Sequence, residues 1–196
     1  VTIHRLFDAD LVLMSPRSMS SISMAGFPER RLIQTMAEPA VESVRPVHWN
    51  FVLWRNPETR STRSLLALGF EPDDALFVDS MLADQSASLR QKGRVLFDAR
   101  SRPEFGPVAE RFNAGQVVES EVAGQRVRVS GLVELGPSFG ADGNLITSRE
   151  TFRSLLPSTS RGSIELGLIR LRDGADPEAV AERLRAWLPN DVSVFT

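Results

Sequence analysis

Ile164-Glu165-Leu166-Gly167-Leu168-Ile169-Arg170-Leu171, followed after a short turn by Asp176-Pro177-Glu178, is the stretch whose reading decides the fold. Its apolar alternation predicts a strand. Asp176 then supplies an N-cap, Pro177 suits the first helical position, and Glu178 complements the helix dipole. Val180, Leu184 and Trp187 or Leu188 fall at i, i+4 and i+7 or i+8, giving one face for burial while Glu182, Arg183 and Arg185 stay in water. Pro189-Asn190-Asp191 turns the chain into a last alternating run, Val192 to Thr196. The C-terminal end therefore reads β-α-β.

The N-terminal end repeats that design. Asp10-Leu11-Val12-Leu13-Met14 reads as a buried strand, and Pro16 with Arg17 to Gly26 as a loop. A helix is expected near Pro28, with Leu32, Ile33 and Met36 as its apolar stripe, ending at Pro39. Val41 to Arg55 reads as extended and interrupted at Pro46, and Asn56-Pro57-Glu58-Thr59 turns into a strand from Ser64 to Gly69. Two β-α-β arms at opposite ends of one chain usually complete a common sheet, a split, ferredoxin-like arrangement of the α+β class.

The middle then reads as an insertion, roughly Phe70 to Ser158. It offers a helix around Ser80 to Lys92 closed by Gly93, a strand at Val95-Leu96-Phe97-Asp98, and a short helix from Pro107 with Val108 and Phe112 paired at i, i+4. Strands at Gln116 to Val122 and Arg126 to Leu135 flank Ala123-Gly124-Gln125. Ala141-Asp142-Gly143-Asn144 suits a tight hairpin. Thr147-Ser148-Arg149-Glu150 has the T-x-x-E form of a capping box, opening a helix through Phe152 and Leu155 that Pro157 stops. Ser158 to Gly162 is a linker back to the sheet.

Several chemistries lack their residues. Gly136-Pro137-Ser138-Phe139-Gly140 matches the G-x-S-x-G pattern of a hydrolase nucleophile, but a turn cluster follows where a helix is needed, and both histidines, His4 and His48, precede Ser138. Lys92, the single lysine, lacks the G-x-x-x-x-G frame of a phosphate-binding loop, so the chain does not hydrolyse ATP itself. Two distant histidines without cysteine leave little to hold a metal, and no catalytic residue, cofactor or metal is expected. His48 beside Trp49 reads as packed, and His4 as surface. A formal charge of -2 gives no basic field for nucleic acid, and 42% hydrophobic content in 196 residues suffices for a core. No run approaches a membrane span. The start without Met at Val1 and the strand-like end at Thr196 suggest that the chain could continue at both ends.

Val95-Leu96-Phe97-Asp98-Ala99-Arg100-Ser101-Arg102-Pro103-Glu104-Phe105-Gly106, the run from Gly136 to Ser148, and Leu166-Gly167-Leu168-Ile169-Arg170-Leu171-Arg172-Asp173-Gly174-Ala175-Asp176-Pro177 together resemble the extracytoplasmic domain of DevC-type ABC transporter permeases, relatives of the MacB family. The similarity runs from about Asp10 to Thr196. It implies a porter subdomain built from both ends, residues 1–69 and 159–196, with a mixed α/β sabre subdomain, residues 70–158, inserted. It further implies an inner-membrane permease whose periplasmic domain lies between the first two transmembrane helices.

The implied partners are a second permease copy, an ABC ATPase subunit, a membrane-fusion adaptor of the HlyD or MacA type and a TolC-like outer-membrane channel. The implied role is mechanotransmission, in which cytoplasmic ATP hydrolysis drives export of lipid, peptide or drug-like cargo. An FtsX-like permease regulating a cell-wall hydrolase is the alternative of the same fold.

Phe139, Asp142 and Asn144 on the expected hairpin tip are the candidate adaptor contacts, since exposed tip residues are common anchors. The competing reading has Asp142-Gly143 only making the turn and Phe139 packing inward. Met14, Met19, Met24 and Met36 read either as a pliable cargo surface or, more often, as filler. Arg100, Arg102 and Glu104 read as a salt-bridged corner.

Overall fold

In chain order, the computed structural model has β1 (Leu11–Met14), the short β2 (Phe27–Pro28), α1 (Arg30–Gln34) continued by a 3-10 turn, and β3 (Val41–Arg55). Then come β4 (Thr62–Phe70), β5 (Arg94–Asp98), α2 (Val108–Asn113), β6 (Glu119–Val122), β7 (Gln125–Val133) and β8 (Asn144–Ser148). The chain closes with α3 (Arg149–Leu155), β9 (Ser163–Ile164), β10 (Leu166–Leu171), α4 (Pro177–Trp187) and β11 (Ser193–Phe195). The structure describes residues 7–18, 24–74, 85–136, 141–157 and 161–196.

The strands nearest the two ends of the chain stand side by side. β1 pairs antiparallel with β11, Val12 opposite Phe195, and with β10 on its other side, Leu11 opposite Ile169. β10 pairs in turn with the first half of β3, giving the antiparallel order β11-β1-β10-β3. Two β-α-β arms, β1-α1-β3 and β10-α4-β11, thus interleave in the split manner expected. Because successive strand residues face opposite sides, Leu11, Leu13, Ile169, Leu171 and Val194 pack on Leu32 of α1 and on Val180, Ala181 and Leu184 of α4. Val12, Leu166 and Leu168 turn to the opposite face, against Val47, Trp49 and Leu66. α4 begins as its sequence dictates: Asp176 Oδ1 accepts from Glu178 N at 3.1 Å, with Pro177 in the first turn.

α1 differs from expectation. Phe27 and Pro28 pair with Ile164 and Ser163, so the helix starts two residues past Pro28, at Arg30. Pro46 does not interrupt β3 either. Over Val41 to Val47 that strand is flanked only by β10, among the pairings described, and an edge tolerates a missing N–H.

From His48 onward β3 exchanges β10 for β4, with His48 opposite Gly69. The sheet then continues in the order β4-β8-β5-β7-β6, and β6 returns to β3 where Trp54 pairs with Val122. β4 and β8 run parallel, as do β5 and β7. One face of these strands buries Trp54, Leu65, Phe97 and Leu145 under Phe105, Val108 and Phe152. Trp54 Nε1 donates to the Phe105 carbonyl at 3.0 Å, which satisfies the only polar atom of a fully buried indole.

The hairpin expected at Ala141 to Asn144 is not formed. β7 and β8 are not neighbours: β5 lies between them, parallel to one and antiparallel to the other. The β6–β7 turn does have hairpin geometry, with positive φ at Ala123 and Gly124. The α3 cap falls one residue later than expected: Thr147 stays in β8, and Ser148 Oγ accepts from Thr151 N at 3.1 Å. Of the helix expected around Ser80 to Lys92, residues 80–84 lie outside the described residues, and Ala87–Arg90 is a 3-10 turn.

Candidate functional site

The segment singled out as a contact loop is fastened at its base by one carboxylate. Asp98, the last residue of β5, is fully buried. Its Oδ1 accepts from Arg100 N at 3.0 Å and Leu135 N at 3.1 Å; its Oδ2 accepts from Gly136 N at 3.0 Å and Asn144 Nδ2 at 2.7 Å. Asn144 Nδ2 also donates to the Gly136 carbonyl at 2.9 Å. Both ends of the segment between β7 and β8 are therefore held on the same group, in the low dielectric where such bonds are strongest.

The three candidate contacts separate. Phe139 and Ser138 lie outside the described residues. Asp142 is partly exposed and pairs with Arg102 at 3.0 Å. Asn144 is 1% exposed and aimed at Asp98, so it offers no tip surface to an adaptor; its amide is consumed in satisfying a buried acid. The Arg100, Arg102 and Glu104 corner is not a self-contained cluster, since Arg102 reaches Asp142 and Glu104 lies 4.0 Å from Arg63. Met14 and Met24 pack against the core as filler, Met36 is exposed, and Met19 lies outside the described residues.

A second polar centre sits where β3 changes partners. His48 is fully buried, its Nδ1 3.1 Å from Glu165 Oε2, and that oxygen also accepts from Trp49 N at 3.1 Å. The imidazole stacks on Phe152 of α3, ring centroids 4.9 Å apart and 8° from parallel. Arg149, one turn earlier on α3, is buried and ion-paired with Glu29, just ahead of α1. Nothing local in the sequence links His48 to Glu165, because 117 positions separate them.

A shallow cleft of about 160 Å³ is lined by Arg55, Asn56, Arg60, Glu119, Glu121 and Arg126, among others. Its charge is largely neutralised within the protein: Arg55 meets Glu121 at 2.7 Å and Arg60 lies 3.9 Å from it. The hydrogen bond from Arg55 holds the Glu121 carboxyl below its ordinary range. Among the described residues no group of three or more metal-binding side chains converges, and no helix is long and apolar enough to cross a membrane.

The sequence profile of the MacB-like periplasmic core domain matches residues 2–187. The periplasmic region of MacB from Actinobacillus actinomycetemcomitans superposes with a TM-score of 0.58 at 13% identity, over 100% of this chain and 92% of that one. The extracellular domain of the noncanonic ABC-type transporter YknZ from Gram-positive bacteria superposes with a TM-score of 0.54 at 13% identity, over 95% and 99% of the two chains. At that identity both establish a common fold. No protein of curated function matches.

Proposed function

Because the chain belongs to the MacB-like periplasmic core domain family, we propose that it is the extracytoplasmic part of an inner-membrane ABC permease that couples cytoplasmic ATP hydrolysis to export. The observation that supports this most directly is the pairing of β1 with β11, which puts Val12 opposite Phe195. The chain enters and leaves the sheet at one place, which suits a domain inserted between two membrane helices.

The permease acts as a homodimer with an ABC ATPase subunit, docks an adaptor of the HlyD or MacA type and delivers lipid, peptide or drug-like cargo to a TolC-like channel by mechanotransmission. Residues 1–69 and 159–196 form its porter part, and residues 70–158 its sabre part. The adaptor meets the sabre part at Phe139 and Asp142. The closed base of that loop at Asp98 supports the reading, since contact loops need a rigid scaffold.

Cross-linking in membranes tests it. The 196 residues contain no cysteine, so within this domain a photo-reactive group on Asp142→Cys in the full-length permease labels from one known point. Cross-links to an adaptor of the HlyD type are expected. Cross-links to a cell-wall hydrolase would replace export with regulation, and labelling of neither from any exposed position of this domain would remove docking altogether.

A further inference from the structure

The partner exchange of β3 is where the ladder of the sheet narrows to a single strand, among the described pairings. Val47 is the last residue of the strand to pair with β10 and His48 the first to pair with β4. Among the described pairings the hydrogen-bond ladder crosses that step through β3 alone, while Val12, Leu166 and Leu168 of the terminal strands pack with Trp49 and Leu66 in a shared core. A sheet joined through a single strand bends easily there, because the ladder bonds that resist twisting stop on one side and start on the other.

Helix α3 spans this step. Phe152 and Arg149 lie three residues apart and so share a face of the helix. Phe152 stacks on His48 and fills the space left by Gly69, where an added Cβ would meet Phe152 Cβ at 2.5 Å. His48 is tied through its Nδ1 to Glu165, at the start of β10, so the contact passes from α3 through β3 to the terminal strands. Arg149 reaches the same strand set by another route. It pairs with Glu29, whose own N–H donates to the Gly162 carbonyl at 3.0 Å, and Arg153 lies 3.7 Å from the same carboxylate. Both ties are buried or nearly so, where screening by water is weakest.

We propose that α3 is a brace: its Phe152–His48–Glu165 and Arg149–Glu29 contacts lock the terminal strands and the β4–β8–β5–β7–β6 set into one lever. The stiffness follows from this geometry alone. Its use, passing displacement of the terminal strands undiminished to the loop base at Asp98, rests on the export reading above.

Dipolar electron-spin measurements test the stiffness without invoking transport. The cysteine-free chain takes two labels, at Glu182→Cys on α4 and Glu110→Cys on α2, both exposed. A single narrow distance distribution is expected for the otherwise unaltered protein. The Glu29→Ala, His48→Gln pair should broaden or split it while the far-ultraviolet circular dichroism stays unchanged. If that double variant does not fold, Glu29→Ala alone, which alters a partly exposed side chain, is read in the same way. A folded variant with a lower unfolding midpoint and an unaltered distribution would overturn the brace and leave the continuity of β3 as the source of rigidity. Failure of the cross-linking experiment above would leave this result untouched.

Discussion

Gly69 and Phe152 are packed so closely that a methyl group at residue 69 would lie 2.5 Å from Phe152 Cβ, 2.7 Å from Cγ and 2.9 Å from Cδ2. Phe152 is fully buried and held between His48 and the β4 backbone, so it has nowhere to retreat. Gly69→Ala should therefore destabilise the fold by about 1–3 kcal/mol, the usual cost of overpacking. Urea unfolding reads the loss. Combining it with Phe152→Leu should cost less than the sum of the two single changes, because the pair shares one volume.

Asp98 makes a different demand. Four donors converge on its carboxylate, and removing it takes away their shared acceptor, leaving only Asn144 Nδ2 with another, the Gly136 carbonyl. Asp98→Ala should cost roughly 3 kcal/mol or more, since buried donors without partners are penalised in full. Asp98→Asn should fare little better, as half of the new amide presents N–H to N–H. Hydrogen exchange at the Leu135 and Gly136 amides should rise in both variants well beyond that at Val127, which lies away from the clasp.

These two sites show what local sequence conveys and what it does not. α4 was legible because its cap, first-turn proline and apolar stripe are all within a dozen positions, and the interleaved β-α-β arms followed from two such local patterns. The Asp142-Gly143 signal misled because a hairpin presumes that consecutive strands pair, whereas β5, from earlier in the chain, lies between β7 and β8. Asn144 then looked like a tip residue when its amide is needed by a carboxylate 46 positions away. Glu165 occupies a polar position in an alternating strand, and nothing in that alternation marks it as 3% exposed beside His48. Long-range polar pairing carries no periodicity, so pattern reading misses it.

The pH dependence of stability has two opposed parts. Hydrogen bonds from Arg31 to Asp191 and from Arg183 to Glu38 hold those two carboxyls below their ordinary ranges. Groups depressed in the folded state contribute stability above their unfolded pKa and lose it as pH falls through the folded value. Asp74 runs the other way: burial raises its carboxyl, so its contribution is present at low pH and is lost as pH rises. Asp74→Asn should therefore raise the neutral-pH unfolding midpoint, with the gain fading on acidification. Arg183→Ala should lower the neutral-pH midpoint, with the deficit fading over the same range. Denaturation series from neutral to mildly acidic pH check both signs.

The three tryptophans offer a direct check on the packing. Trp49 lies 1% exposed in the core shared by the two strand sets, and Trp54 is fully buried beneath Phe105, whereas Trp187 at the end of α4 is 45% exposed. Acrylamide should quench one emitting population readily and leave the rest protected, and the accessible population should emit to the red. Trp187→Phe should remove that population with little change in stability, because the indole is half in water already. Trp54→Phe should leave the quenching pattern intact but lower stability by about 1–3 kcal/mol, as the Phe105 carbonyl loses its buried donor. Free quenching of all three tryptophans in the folded protein would contradict the closure of the strand circuit at Trp54 and Val122.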